Sequence, residues 1–333
     1  MDRFIVGTGR CGSTLLSRML ATSPAVLGLF EFFTGLDWSK RFTTEPLDGA
    51  GFAELITAEQ PFVTAVLRRG YEVEEIVYPF DTTGRYRRDD PLPWILVTLL
   101  PRLTDDPDSL FDELSAFAAG LPEQPLVDHY HALFGWLAAR LDKQVWIERS
   151  GSSIEYLASL DEMFPDARFL HIHRDGREVA LSMREHHAYR LPIALMYDAP
   201  VDDGTPASKL AAIELHAEPT ATDTISRILA SRPPAEYFGR YWNDQIVRGH
   251  TAAAAIDPAR WMDVRFEDLV ASPPSVIETI AAFFELDDGR WIGEAAGLVR
   301  GTPPTRFEGL ENGERSRLTD ACRPGLELLG RPA

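Results

Sequence analysis

Short apolar runs alternate with helical patterns along this chain. The runs that read as buried strands are 4–6, 145–147, 169–172 and 261–264. The helical patterns that follow them, with apolar residues about 3.6 positions apart, are 14–20, 154–163, 178–183 and 277–284. Strands buried on both faces read as continuous apolar runs, and parallel strands need a crossover helix between them. The alternation therefore predicts an α/β protein with a three-layer fold, in which helices flank a mostly parallel central sheet.

Two long stretches without strand signals interrupt this alternation. Residues of about 35–125 are rich in Pro, Asp, Gly and aromatics and contain a helical piece at 110–119, and residues of about 188–235 contain several prolines. Segments inserted after strand ends cover the crevice where an open α/β sheet binds ligands. We therefore predict one domain over residues 1–333, with these two stretches as helical covers over the ligand-binding side.

The composition is that of an ordinary globular protein, with 45% apolar and 25% charged residues. The net charge is −18, whereas general nucleic-acid binders and anionic-membrane binders are usually basic, so neither partner is predicted. Cys11 and Cys322 are too few for a disulfide framework or a Cys-rich zinc site. No apolar run has the length of a membrane span and the N-terminus lacks a signal-peptide pattern, which predicts a cytoplasmic protein.

The strongest local signal is a glycine-rich loop between the first strand and the first helix. It reads Gly7-Thr8-Gly9-Arg10-Cys11-Gly12-Ser13-Thr14. Glycines allow backbone N–H groups to converge on an anion, and the start of the helix adds its positive dipole. The spacing from Gly7 to Gly12 is that of a Walker A loop, but Ser13 stands where the lysine belongs and Arg10 is the only cation inside the loop. We predict a P-loop-like fold whose loop binds a phosphate-like group and is poorly suited to nucleoside triphosphate hydrolysis; a tight connection without a ligand is the alternative.

A second candidate anion site follows the strand at 169–172. Arg174 lies just beyond the end of that strand, on the crevice side of the sheet, and Ser182 lies about two turns into the next helix. A guanidinium fork and a hydroxyl group suit a terminal phosphate monoester.

Together the two segments resemble the PAPS-dependent sulfotransferases, whose donor is 3′-phosphoadenosine 5′-phosphosulfate (PAPS). The resemblance implies that the 5′-phosphosulfate is held by the loop residues Gly9, Arg10, Cys11, Gly12, Ser13 and Thr14. It also implies that Arg174 and Ser182 hold the 3′-phosphate. An arginine in the first loop is more similar to the carbohydrate, tyrosyl-protein and bacterial branches than to the cytosolic aryl branch, which usually carries lysine.

Two later segments add to the resemblance, which spans residues of about 1–33, 126–187 and 236–330. The sequence from Arg265 to Leu269 resembles the family's Y-E-D-L strand end, which implies that Phe266 lies near the adenine, without the tyrosine hydroxyl. Residues 146–150, Trp-Ile-Glu-Arg-Ser, resemble a W-x-E-K-[ST]-P region with arginine for lysine. The roles of Arg149, Arg300 and Arg306 are left open.

Sulfuryl transfer to a hydroxyl group needs a base that accepts the hydroxyl proton. Other branches of the family carry a glutamate shortly after the first helix, and Glu31 is a single acid among apolar residues there. Apolar surroundings disfavour the charged form of a carboxyl group and thereby favour a base role. We predict that Glu31 is the catalytic base and that Arg10 stabilises the charge that develops on the leaving phosphate.

Histidines are the alternative base. His171 and His173 share one strand face, but no third ligand is placed to make a metal site with them, so no metal is predicted. His186 and His187 follow the second-site helix, where a solvated helix end is expected.

The sequence thus predicts a sulfotransferase that moves a sulfuryl group from PAPS to a hydroxyl of a small-molecule, lipid or carbohydrate acceptor by in-line displacement, leaving 3′-phosphoadenosine 5′-phosphate (PAP). The inserted stretches would then cover the acceptor side. Two alternatives stay open: a P-loop kinase or nucleotide hydrolase, and a non-catalytic nucleotide-binding protein. The acceptor and the oligomeric state are left open.

Overall fold

A computed structural model of the chain describes residues 1–202, 204–286 and 289–332. Its strands are β1 (Arg3–Val6), β2 (Val26–Phe30), β3 (Val145–Arg149), β4 (Arg168–His173), β5 (Pro200–Val201), β6 (Thr205–Pro206) and β7 (Trp261–Arg265). Its α-helices are α1 (Ser13–Leu20), α2 (Gly49–Thr57), α3 (Pro61–Leu67), α4 (Trp94–Thr98), α5 (Pro107–Ala119), α6 (Leu126–Arg140), α7 (Leu157–Met163), α8 (Gly176–Glu185), α9 (His187–Met196), α10 (Thr224–Ala230), α11 (Ala235–Ala253), α12 (Phe266–Ala271), α13 (Pro273–Phe283), α14 (Ile292–Gly297) and α15 (Asn312–Leu328).

Five strands form one parallel sheet in the order β2-β3-β1-β4-β7, and β5 and β6 form a separate antiparallel pair. The α/β prediction is confirmed, and so is each of the four predicted strands. The sequence pattern did not predict β2, because Gly28 interrupts its short apolar run and glycine is depleted in strands. All five strands of the sheet run the same way, so their carboxyl ends lie at one edge.

The chain divides into two compact units. The first comprises Met1–Ala58, Trp94–Arg174 and Arg248–Pro303, and it contains the parallel sheet. The second comprises Glu59–Pro93, Asp175–Val247 and Pro304–Ala333. The inserted stretch 35–125 is therefore shared between the units, whereas 188–235 belongs to the second. The assignment of both stretches as acceptor-side covers stays a prediction.

An aromatic core supports the sheet of the first unit. The ring of Phe4 on the central strand lies 5.0 Å from that of Phe164 and 5.5 Å from that of Phe169, between ring centroids. Phe32 and Phe33, which follow β2, are completely buried and pack edge to face. These two rings therefore belong to the core and fix the course of the chain just after Glu31.

The second unit is built around helices. Apolar residues of α9 and α10, including Leu191 and Ile228, form one buried cluster with Val66 of α3. Trp242 of α11 is completely buried, and its ring lies so close to Gly176 that a Cβ there would be 2.4 Å away. Glycine at the first position of α8 therefore allows this helix to pack on α11. Among the described residues of the whole chain, no helix combines the length and the apolar character needed to cross a membrane.

Candidate functional site

Predicted site residues of the first unit, together with Arg149, whose role the sequence left open, follow the carboxyl ends of the five parallel strands. In the order of the sheet these are Glu31 after β2, Arg149 at the end of β3, the loop 7–12 after β1, Arg174 after β4 and Phe266 after β7. The carboxyl edge of an open parallel sheet is where such folds bind ligands. Five separate stretches of sequence thus meet at one edge, with the glycine loop in the middle.

The glycine loop has a backbone shape suited to an anion. Gly9, Arg10 and Gly12 have φ angles of +71°, +52° and +97°, and positive φ at the non-glycine Arg10 is a strained conformation that is often found at functional sites. Gly12 is the N-cap of α1, whose first turn contains no acidic residue and receives no side-chain cap from the described residues. The N–H groups at this helix start are therefore oriented to receive a negatively charged ligand.

Tight packing behind the loop explains two of its residues. A Cβ at Gly7 would lie 2.8 Å from the carbonyl oxygen of Ile172 and 2.7 Å from Sγ of Cys11. Cys11 is completely buried, so its contribution to a ligand would come from the backbone. Ser13 is also buried, whereas Thr14 is exposed and its Oγ1 accepts a hydrogen bond from Nη2 of Arg149 (2.9 Å).

Phe266 and Arg174 adjoin the loop on its β4–β7 side. A Cβ at Gly12 would lie 2.1 Å from Cδ2 of Phe266, so position 12 requires glycine both for its φ angle and for this ring. The guanidinium carbon of Arg174 lies 5.0 Å from the centroid of the same ring, within cation–π distance. The structure therefore brings the loop, Phe266 and Arg174 into one contiguous group. Their roles toward adenine and the 3′-phosphate stay predictions.

Ser182 lies on α8, in the second unit, and is buried. Its position six residues after the start of α8 agrees with the predicted two helical turns. Its role toward the 3′-phosphate continues to rest on the sequence resemblance.

The surroundings of Glu31 differ from the prediction. Its side chain is not enclosed by apolar groups alone, because its Oε1 is ion-paired with Arg149 and its Oε2 accepts a hydrogen bond from the backbone of Gly151 (2.8 Å). The sequence did not reveal this pair, because it is created by the β2–β3 register, which places Phe30 opposite Arg149. Glu31 itself is 3% exposed and has a φ angle of +57°.

The backbone of Glu31 is held as firmly as its side chain. Its N–H donates to the carbonyl oxygen of Arg149 (2.8 Å), and its own carbonyl oxygen accepts from Nε1 of Trp94 (2.7 Å). These bonds fix the strained turn by which the chain leaves the sheet at Glu31.

Arg149 is a site residue whose role the sequence left open. Its guanidinium joins the carboxylate of Glu31 to the hydroxyl of Thr14 and lies 3.7 Å from the centroid of the Phe30 ring. The sequence feature that could have identified Arg149 as a site residue is its position as the basic residue of the W-x-E-K-[ST]-P-like segment. Since Arg149 is 2% exposed and Glu31 3%, removing either partner would leave a buried charge unpaired.

A second buried acid lies beside this pair. Glu148 is completely buried and accepts a hydrogen bond from the hydroxyl of Ser150. Burial raises the pKa of Glu148 to about 8; the negative charge of Glu31 adds to the rise, and the bond from Ser150 opposes it.

The histidines are placed differently from the site residues. His171 lies within β4, with Nδ1 2.8 Å from Oδ1 of Asp263, and its ring centroid is 5.2 Å from that of His173, as the shared strand face predicted. The prediction that His186 lies at a solvated helix end is wrong. Its side chain is buried, with Nε2 3.0 Å from Oε2 of Glu75. Among residues 1–202, 204–286 and 289–332, no three His, Cys, Asp or Glu side chains are grouped to hold a metal ion.

Comparison with known proteins identifies a family. A protein-family model described as "Sulfotransferase family" matches residues 101–201 and 222–290, about half of the chain. The matched residues include Arg149, Arg174, Ser182 and Phe266 and leave out the glycine loop and Glu31. Among curated proteins, none matches this sequence.

Several solved structures of sulfotransferases align with most of this chain. The sulfotransferase domain of the curacin biosynthetic pathway is 10% identical, with 99% of this chain and 98% of that chain covered and a TM-score of 0.49. The corresponding domain of the Synechococcus PCC 7002 olefin synthase is 17% identical, with coverage of 99% and 93% and a TM-score of 0.44. Sulfotransferase STF9 of Mycobacterium avium is 17% identical, with coverage of 99% and 77% and a TM-score of 0.46.

Proposed function

The chain belongs to the sulfotransferase family, and on that premise we propose that it transfers a sulfuryl group from PAPS to a hydroxyl group of a small-molecule, lipid or carbohydrate acceptor. The observation that supports this most directly is the arrangement along the sheet edge, where an anion-binding loop separates the buried carboxylate of Glu31 from the guanidinium of Arg174. The loop and Arg174 suit a donor that has phosphate groups at two positions. The carboxylate suits an acceptor that loses a proton.

The residues beside the loop fit a nucleotide donor that carries several negative charges. The protein as a whole has a net charge of −18, so such a donor must be held by local cations and N–H groups. The loop and the start of α1 would hold the 5′-phosphosulfate, with Arg10 beside it, while Arg174 and Ser182 would hold the 3′-phosphate. Phe266 would lie near the adenine. When bound, PAPS supplies the sulfuryl group and is left as PAP.

Glu31 is the proposed base. Each oxygen of its carboxylate has two lone pairs, so the bonds from Arg149 and Gly151 leave capacity to accept the proton of an acceptor hydroxyl. Arg149 also orients Thr14 at the start of α1, so that the base and the loop are held by one side chain.

Arg10 has a different proposed role. Negative charge develops on the leaving phosphate oxygen during transfer, and a guanidinium aimed at that oxygen binds the transition state more strongly than the ground state. Positioning and charge stabilisation of this kind carry most of the catalysis in phosphoryl transfer, to which sulfuryl transfer is analogous.

The test is transfer of radiolabelled sulfate from PAPS to a panel of phenols, sugars, lipids and amines, combined with calorimetry of PAP. We expect PAP to bind and at least one hydroxyl acceptor to be labelled. A protein that binds no PAP and labels no acceptor would contradict the proposal. Binding of PAP without transfer would favour a non-catalytic nucleotide-binding protein, and magnesium-dependent turnover of ATP would favour a kinase or hydrolase.

A further inference from the structure

Glu148 is a completely buried acid that the proposed chemistry does not use. It lies on β3, one residue before Arg149, and the hydroxyl of Ser150 donates a hydrogen bond to its Oε1. Its Oε2 is also buried and has no hydrogen-bond partner among the described residues. A charged carboxylate in this place would be much more costly than a neutral acid, because burial without full hydrogen bonding penalises charge most.

Ser150 connects this buried acid to the turn that carries the base. Its hydroxyl oxygen accepts the N–H groups of Phe33 (3.0 Å) and Thr34 (3.3 Å), which directly follow Glu31 and Phe32. Oγ1 of Thr34 donates to the carbonyl oxygen of Gly151 (3.1 Å), and the N–H of Gly151 donates to Oε2 of Glu31 (2.8 Å). Hydrogen bonds, joined through the residues that make them, thus connect the buried acid to the carboxylate of Glu31.

The groups around Glu148 come from three elements. Glu31, from the turn after β2, is the neighbouring negative charge, and Arg149, from β3 itself, is the neighbouring positive charge. Tyr156 comes from the 3-10 helix Ser153–Tyr156; burial raises the pKa of its hydroxyl, and the guanidinium of Arg41 lies 4.1 Å from its ring centroid. Tyr156 is therefore neutral, and Glu31 and Arg149 are the charges that decide the state of the buried acid.

We propose that Glu148 is a positioning residue: as a neutral acid it holds Ser150 against the turn that carries Glu31, and loss of its proton loosens this turn and slows sulfuryl transfer. The proposal rests on the proposed role of Glu31 as base. An ionised Glu148 would add a second buried negative charge beside Glu31 and compete for Arg149, which Glu31 shares with Thr14. Movement of the turn that carries Glu31 would separate the two carboxylates and so reduce their repulsion.

The first test is the pH dependence of kcat for the wild type and for Glu148→Gln. Because burial raises the pKa of Glu148 to about 8, we expect the kcat of the wild type to fall above that pH by about tenfold per pH unit, as for one ionisation. Glutamine keeps an oxygen that accepts from Ser150 and cannot ionise. The variant should therefore lose no more than about tenfold in kcat at pH 7 and lack the alkaline fall.

Matched variants separate this role from a general loss of structure. Glu278→Gln removes an exposed carboxylate on α13 and should keep the alkaline fall of the wild type. Ser150→Ala should lower kcat at every pH, because two buried N–H groups lose their acceptor. Ser150→Thr keeps the hydroxyl and should restore most of the activity.

The second test needs no catalytic activity. The folded-state pKa of Glu148 lies above the ordinary value of 4.5, so its contribution to the free energy of unfolding is complete below pH 4.5 and is lost as the pH rises towards 8. Thermal unfolding of the unliganded protein should therefore show the Tm of the wild type falling relative to Glu148→Gln across this range and levelling above it. In infrared difference spectra, Glu148→Gln should remove a protonated-carboxyl band at pH 7.

The outcomes distinguish this inference from the proposed function. Parallel alkaline falls of kcat in the wild type and in Glu148→Gln, or a Tm difference that does not change with pH, would overturn the role of Glu148 and leave the sulfotransferase proposal intact. Failure to transfer sulfate to any acceptor, with the Tm difference and the infrared band as expected, would contradict the proposed function instead.

Discussion

The two flanks of the glycine loop differ in how deeply their polar side chains are buried and in what these side chains contact. The β2–β3 flank comprises Glu31, Glu148, Arg149 and Ser150, which are at most 3% exposed and joined by hydrogen bonds and an ion pair. The β4–β7 flank comprises Arg174 and Phe266, where a partly exposed guanidinium lies over an aromatic ring.

This difference separates two tasks. A group that takes part in bond making must be held in place before the substrate arrives, because reorganisation during the reaction costs free energy. The guanidinium of Arg174, which is partly exposed, can be reached by a phosphate from solvent. On the proposed roles, the β2–β3 flank would therefore hold the catalytic base and the β4–β7 flank would bind the donor, with Arg10 in the loop between them.

The largest expected effect is that of Glu31→Gln. Loss of the proposed base should lower kcat by about 10²–10⁴ while the affinity for PAP is retained, since the change lies in the β2–β3 flank and not beside Arg174. Steady-state kinetics and PAP calorimetry on the same preparation measure both. Retained PAP binding shows that the fold survives the loss of the partner of Arg149, and Glu278→Gln is the control. A variant with unchanged kcat would exclude Glu31 as the base.

Arg10→Ala should have the next largest effect. Loss of a donor aimed at developing charge typically lowers kcat by about 10²–10³, and Arg10→Lys should recover only part of it because lysine lacks the planar fork. PAP should still bind within about tenfold, or about 1.4 kcal/mol. The exposed Arg18 of α1 provides the control variant Arg18→Ala. If Arg10→Ala keeps its kcat and loses only donor affinity, Arg10 belongs with the binding residues.

Arg174→Ala should weaken donor binding by about 1.5–3 kcal/mol, the range for a charge-assisted hydrogen bond. The measurement is calorimetry with two ligands, PAP and adenosine 5′-phosphosulfate, of which only the first carries a 3′-phosphate. The affinity for PAP should fall far more than that for the second ligand. Equal losses would show that Arg174 does not bind the 3′-phosphate.

Ser182→Ala should have the smallest effect, about 1 kcal/mol in PAP affinity, because a neutral hydroxyl contributes one ordinary hydrogen bond. The same pair of ligands applies, and kcat at saturating donor should change little. A large fall in kcat, or a loss shared by adenosine 5′-phosphosulfate, would place Ser182 outside the 3′-phosphate site.

The sequence predicted the β4–β7 flank better than the β2–β3 flank. Arg174 and Phe266 follow strands that local apolar runs predict; the position of Arg174 came from that pattern, and Phe266 was singled out by the family resemblance. The pair of Glu31 and Arg149 depends on the register between two strands far apart in sequence, one of which the pattern did not predict. Long-range pairing of this kind has no local signal, and therefore an apolar environment was predicted for Glu31 where the structure has a guanidinium.

The contact between Gly12 and Phe266 has a consequence for how the protein is made. Gly12 belongs to the loop after the first strand, whereas Phe266 follows β7, the last strand of the sheet in sequence order. During synthesis the glycine loop leaves the ribosome early, but the ring that packs against it arrives only after most of the chain has been translated. The glycine loop can therefore pack against Phe266 only after β7 has been synthesised and pairs with β4, and a nascent chain that ends before β7 lacks the ring that lies against Gly12.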